Sequence, residues 1–175
     1  MNLPIVLFSP KEKSSAIPQA DEVDRIPELV QLVGGGVRNS REIAKKMHFD
    51  RRQSEYYREA AEILGLLNRR KRYSLTDLGR QFFVSDDLTR LRIMVCALLR
   101  YSIIACVVAC LQSHAVKSVS KSDIEKLIEG ISSLRPATVE RRGRTILAWL
   151  RWLAQNSGIV IVVGDVVRLR PSNPV

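Results

Sequence analysis

The sequence predicts a mainly α-helical chain with small β-hairpins, built as two similar units in tandem. Three observations carry this. Apolar residues recur at helical spacing through most of the chain. Twice, a helical run bearing an Arg-Arg pair stops at a glycine and is followed by two short strand-like runs. Of the 175 residues, 46% are hydrophobic and 26% charged, a folded-chain balance that excludes collagen-like and wholly disordered classes.

The elements follow in order. Met1 to Phe8 is apolar but broken by Pro4, and lacks the basic start and long apolar stretch of a secretory signal. Residues 9–22 are polar with two prolines, so 1–22 reads as a flexible arm. Residues 23–86 form the first unit. VDRIPELVQLV places Ile26, Leu29, Val30 and Val33 on one helical face, and Pro27 suits a first turn. Gly34-Gly35-Gly36 stops it. Ser40 is expected to cap SREIAKKM, with Ile43, Ala44 and Met47 inward. Asp50 and Gln53 suggest a capping box for a third helix, Arg51 to Leu64, with Tyr56 or Tyr57, Ala60, Ala61, Ile63 and Leu64 inward and Gly65 as its left-handed stop. LLNR and RYSL read as a hairpin around Arg70-Lys71. Thr76 can cap a further short helix holding Leu78 and Phe82.

Three small helices and a two-stranded hairpin is the winged-helix order, and His48-Phe49-Asp50 is a turn of helix-turn-helix length. In that arrangement the third helix enters the major groove of DNA. Its expected polar stripe is Arg51, Glu55, Arg58 and Glu62, with Arg52 and Ser54 at the leading end. Arg69, Arg70, Lys71 and Arg72 make the hairpin a phosphate-contacting wing. The competing view of the stripe is a solvated face on which Glu55 and Glu62 pair with the arginines.

Residues 87–175 form the second unit. Residues 93–111 are 19 nearly continuous apolar residues. Arg100 near their middle, which would cost roughly 2.5–3.5 kcal/mol in a bilayer, favours a buried helix over a membrane span. Cys96, Cys106 and Cys110 all lie there, odd in number and without a CxxC, so they read as buried reduced thiols of a cytoplasmic protein. Ser122 and Glu125 suggest a capping box for KSDIEKLIEGI. Thr138 is expected to cap a long helix to Gln155, with Val139, Ile146, Leu147, Trp149, Leu150, Trp152 and Leu153 inward. Arg141, Arg144, Ala148, Arg151 and Gln155 face outward. IVIVV, the turn Gly164-Asp165 and VVRLR make a second hairpin. Arg51-Arg52 matches Arg141-Arg142 at an offset of 90, and Gly65 matches Gly158 at an offset of 93.

The 28 Lys and Arg against 18 Asp and Glu give a net charge of +10. Three bases against five acids in 1–37 give −2, 15 against 8 in 38–100 give +7, and 10 against 5 in 101–175 give +5. The positive field thus belongs to the two folded units, which points to a polyanionic partner, nucleic acid first and an anionic membrane surface second; with the winged-helix order the expected partner is double-stranded DNA. The expected contacts are Arg51, Arg52, Ser54, Glu55, Arg58, Arg69, Arg70, Lys71, Arg72, Arg141, Arg142, Arg144 and Arg151.

FDRRQSEYYREAAEILGLL with YSLTDLGRQF, and TVERRGRTILAWLRWL with its hairpin, resemble the tandem winged-helix modules found with restriction-modification enzymes, including recognition domains of restriction endonucleases. The resemblance covers about residues 23–170. It implies sequence-specific duplex binding beside a separate nuclease domain or subunit, with recognition helices over Arg51–Leu64 and Thr138–Gln155.

Catalytic motifs are missing from the sequence. No Glu is followed two residues later by Lys, so the ExK of a restriction-type nuclease is absent. His48 and His114 have no companion ligands at metal spacing, and Gly34-Gly35-Gly36 lacks the Lys-Ser/Thr of a P-loop. The expectation is a non-enzymatic protein without metal or cofactor. The alternative function is a small transcriptional regulator or a protein-interaction adaptor.

Overall fold

The computed structural model describes residues 17–69, 73–113 and 116–171. It is mainly helical, with one small antiparallel sheet. The chain divides into two compact units, Pro18–Ala97 and Leu98–Val175, the latter joined by the segment that ends at Ile17.

The Pro18–Ala97 unit opens with α1 (Arg25–Gly34), α2 (Ser40–Met47) and α3 (Arg51–Ile63). Ile26, Leu29, Val30 and Val33 are buried on α1, as their spacing predicts. Asp50 and Gln53 form the expected capping box on α3, and the Thr76 hydroxyl accepts from Gly79 N–H to cap α4 (Asp77–Val84). On α2, however, Asn39 is the cap and Ser40 the first helical residue. Asn39 has the extended backbone a cap needs, and its side chain accepts from Glu42 N–H at 2.9 Å. Either residue type can cap, so the chain direction entering the helix decides.

After Gly65 (φ 74°) the expected hairpin is reduced, among the described residues, to one antiparallel bridge, Leu67 to Leu75. Asn68 N–H donates to Ser74 O and Thr76 N–H to Leu66 O. The tip, Arg70-Lys71-Arg72, lies outside the described residues. α4 rests directly on this strand: a Cβ at Gly79 would stand 2.0 Å from the Leu66 carbonyl oxygen.

The apolar run 93–111 is not one helix. α5 (Asp87–Arg100) and α6 (Ser102–Gln112) meet at 80°. Tyr101 takes an extended backbone between them and turns its ring edge-on to Trp149, 5.6 Å between centroids. Burying that ring against Trp149 outweighs continuing the helix. Among the described residues no helix is long and apolar enough to cross a membrane. Cys106 and Cys110 are buried, but Cys96 is exposed, because it falls on the outer side of α5.

β1 (Val119–Ser120), α7 (Lys121–Ile131), α8 (Pro136–Ser157), β2 (Val160–Val163) and β3 (Val166–Leu169) complete this unit. The sheet order is β1-β3-β2, all antiparallel, with Val163 opposite Val166 across the Gly164-Asp165 turn. Two predicted caps move. The capping box on α7 is Ser120 with Asp123, two residues before the expected pair, because β1 delivers Ser120 in extended conformation. The Ser120 hydrogen bond holds the Asp123 carboxyl below its usual range. α8 begins at Pro136 rather than after Thr138, with Pro supplying its first turn in place of a side-chain cap. The inward face of α8 is as predicted: Val139, Ile146, Leu147, Trp149, Leu150, Trp152 and Leu153 are buried.

Candidate nucleic-acid interface

α3 is presented by a braced turn. His48 takes the left-handed conformation (φ 55°) that lets the chain leave α2. Phe49 stacks on Tyr57 of α3 at 4.7 Å, and the Arg25 guanidinium lies over the Phe49 ring at 4.7 Å while donating to Met47 O. α1 thereby fixes the angle between the two helices. Tyr57 is buried, and burial pushes its phenol up to about 12.

The expected stripe on α3 does not face solvent as a free charged surface. Arg58 is only 8% exposed. Its Nε donates to Glu55 at 2.8 Å, and its Nη1 donates to Glu62. Burial acts to lower the Arg58 pKa, and these two carboxylates outweigh it, so the guanidinium is held above its ordinary value. Glu55 is spent twice, since its other oxygen accepts from the Tyr73 hydroxyl at 3.0 Å. Burial pushes the Tyr73 phenol up. Ser54 is fully buried, and its hydroxyl donates to Arg51 O. Ser54 and Arg58 are therefore corrected from groove-facing to interior residues: positions 54, 57, 58 and 61 share the stripe that packs on α1 and α2.

Arg51, Arg52 and Arg69 are exposed. Arg52 lies over its own helix, donating to Tyr56 Oη with its guanidinium 5.4 Å from that ring. Arg51 lines a surface cleft of about 460 Å³ with Asn39, Ser40, Arg41 and Glu42. Arg41, Lys45 and Lys46 on α2 are exposed as well. These three stand outside the expected contacts, although a basic residue followed by two more at i+4 and i+5 on a short helix is a visible signal in the sequence. Arg70, Lys71 and Arg72 lie outside the described residues.

α8 presents its arginines differently. Arg141, Arg144 and Arg151 are exposed along one side. The Arg141 guanidinium makes no hydrogen bond or ion pair among the described residues. Arg144 pairs with Glu140 at 2.9 Å, both well exposed. Arg151 reaches the hairpin, donating to Gly164 O at 2.8 Å and Asp165 Oδ1 at 2.9 Å. Arg142, expected as a contact beside Arg141, is buried and donates to Ile17 O. One residue along a helix is a rotation of about 100°, so the second arginine of the pair points into the protein. The match of Arg51-Arg52 to Arg141-Arg142 thus fails in three dimensions, since Arg52 is exposed and Arg142 is not.

Near the other end of this unit, Lys117, Arg168 and Arg170 line a groove of about 400 Å³ floored by Leu111, Val116 and Leu169. Among the described residues no three His, Cys, Asp or Glu side chains gather as metal ligands.

No curated protein and no solved structure matches the chain. A protein-family profile does: it matches residues 25–157, from the first residue of α1 to the last of α8. The chain belongs to that family, the domain of unknown function DUF7226.

Proposed function

We propose that the chain binds double-stranded DNA sequence-specifically through two winged-helix units, as the target-recognition part of a restriction or related defence system, with no nuclease chemistry of its own. The observation that carries this reading is the outer side of α8, where Arg141, Arg144 and Arg151 stand within one long helix while Trp149, Leu150 and Leu153 anchor it from behind. The element order supports it. Helix, strand, helix, helix and hairpin with strands in the order β1-β3-β2 is consistent with a winged helix, and on that reading α8 is the groove-entering helix. In the other unit, the order α1, α2, α3 and the bridge between Leu67 and Leu75 are consistent with the same reading.

The test is binding of random duplex across a salt series. With about six phosphates contacted, log K falls against log salt with a slope near −5, taking roughly −0.9 per phosphate. A slope near zero removes DNA binding. One observation favours a second reading, a protein-interaction adaptor: Val84 and Leu88, close in sequence at the α4–α5 junction, are 79% and 58% exposed. Binding insensitive to salt and abolished by Val84→Asp supports that reading.

A further inference from the structure

Resting on the duplex-binding reading, we propose that base selection is confined to the N-terminal half of α8, through Arg141 and Arg144, and that α3 meets the duplex without reading it.

An arginine reads guanine by presenting two donors of its planar fork at once. On α3 the arginine of the stripe is engaged and its neighbour is turned along the helix. Arg58 is buried between Glu55 and Glu62, and withdrawing it would leave two carboxylates without their cation. Arg52 is laid on Tyr56. Glu55, the carboxylate nearest the leading end of α3, already bonds Arg58 and Tyr73. The Ser54 hydroxyl is buried and bonded to Arg51 O. That leaves Arg51, which shares its cleft with Arg41. Two arginines lining one cleft suit a phosphate, which carries no sequence information.

On α8 the balance is reversed. Arg141 is exposed and its guanidinium is free among the described residues. Among the described residues Arg144 is held only by Glu140, an i,i+4 pair in which both side chains are more than half exposed and which solvent opens readily. The two arginines are three residues apart, so they project from adjacent turns of one side and can reach neighbouring base pairs. Arg151 is set apart by its place, since it lies in the C-terminal half of α8, away from the end that reaches base edges in helix-turn-helix docking, and it bonds the carbonyl of Gly164 and the carboxylate of Asp165 in the hairpin turn. It is a positioning residue for that hairpin.

The experiment uses the full chain. A duplex is enriched from a random pool by the unaltered protein, and fluorescence anisotropy gives affinities for that duplex and for a scrambled one of the same composition. Arg141→Ala and Arg144→Ala are expected to lower the ratio of the two affinities about tenfold. Arg144→Lys, which keeps the charge and loses the fork, lowers the ratio while leaving the salt slope unchanged. Arg51→Ala and Arg52→Ala weaken both affinities by the same factor. Unchanged melting temperatures show that each variant is folded. The inference is overturned if Arg51→Ala or Arg52→Ala moves the ratio as far as the α8 variants do, or if Arg144→Lys leaves it unmoved. A protein that binds every duplex alike also overturns it, with duplex binding intact. A protein that binds no duplex defeats the underlying reading instead.

Discussion

Counted back from the glycine that ends each helix, Arg58 of α3 and Arg151 of α8 hold the same position, 93 residues apart. Arg58 is buried and Arg151 is exposed. The cause lies in the flanking residues. Arg58 has Glu55 three residues before it and Glu62 four after, both within reach on a helix. At the same two places α8 has Ala148 and Gln155. With no carboxylate at those two places, Arg151 extends to Asp165 in the hairpin turn. Inward positions keep the correspondence: Ser54, Tyr57 and Ala60 match Leu147, Leu150 and Leu153, and all six are buried. The two helices thus share a packing plan and differ in whether their charge is cancelled from within. Arginine content alone does not make a helix a cationic surface; the residues at i−3 and i+4 decide it.

The largest way to break this comparison is Arg58→Ala. Removing one member of a buried ion cluster leaves Glu55 and Glu62 without their cation, at about 3–5 kcal/mol. Urea denaturation of the full chain should show the Pro18–Ala97 unit unfolding at much lower denaturant. A loss under 1 kcal/mol would mean the cluster does not hold α3 in place.

Tyr57 sharpens the comparison by pH, since its counterpart Leu150 has nothing to ionise. The Tyr57 phenol is raised to about 12 chiefly by burial. Its contribution is therefore full below about 10, where the unfolded phenol begins to ionise, and is lost as pH rises through about 12. Absorbance titration at alkaline pH should show late-ionising tyrosine absorbance, and Tyr57→Phe should remove the Tyr57 share of it, leaving that of Tyr73, and flatten the alkaline fall in stability.

The smallest effect is Arg151→Ala. The ion pair to Asp165 is exposed on both sides, so it is worth less than about 1 kcal/mol. Melting temperature should barely move, while hydrogen exchange at the Gly164-Asp165 turn becomes faster. An effect as large as that of Arg58→Ala would show that the two positions are equivalent after all.

Much of the fold was legible in the sequence because it rests on local rules. The inward faces of α1 and α8, the Asp50–Gln53 box, the Thr76 cap and the Gly164-Asp165 turn follow from spacing and turn chemistry. Three helix starts were misplaced where neighbouring residues could each begin the helix: Asn39 or Ser40, Ser120 or Ser122, Pro136 or Thr138. Backbone direction settles those, and it is set by elements further along the chain. The 19-residue apolar run hid its bend because Tyr101 is itself apolar, and its partner Trp149 lies 48 positions away. At the candidate site the exposed face of α8 was legible. The burial of Arg58 and Arg142 was not, since their acceptors had to be located in space. Glu55, Glu59 and Glu62 around one arginine were nevertheless a written sign of internal pairing.

The bond from Arg142 to the carbonyl of Ile17 joins residues 125 apart in sequence. The unit it serves is therefore discontinuous along the chain, with Pro18–Ala97 lying between its two pieces. During synthesis Ile17 emerges early and waits until α8 is made. Closing so long a loop costs chain entropy and slows folding, so this unit should be the later of the two to mature. A fragment cut to begin at Leu98 would lack Ile17 altogether, and Arg142 would lose that acceptor. Expression of this half in isolation therefore needs the Ile17 segment supplied, either by circular permutation or as a co-expressed peptide.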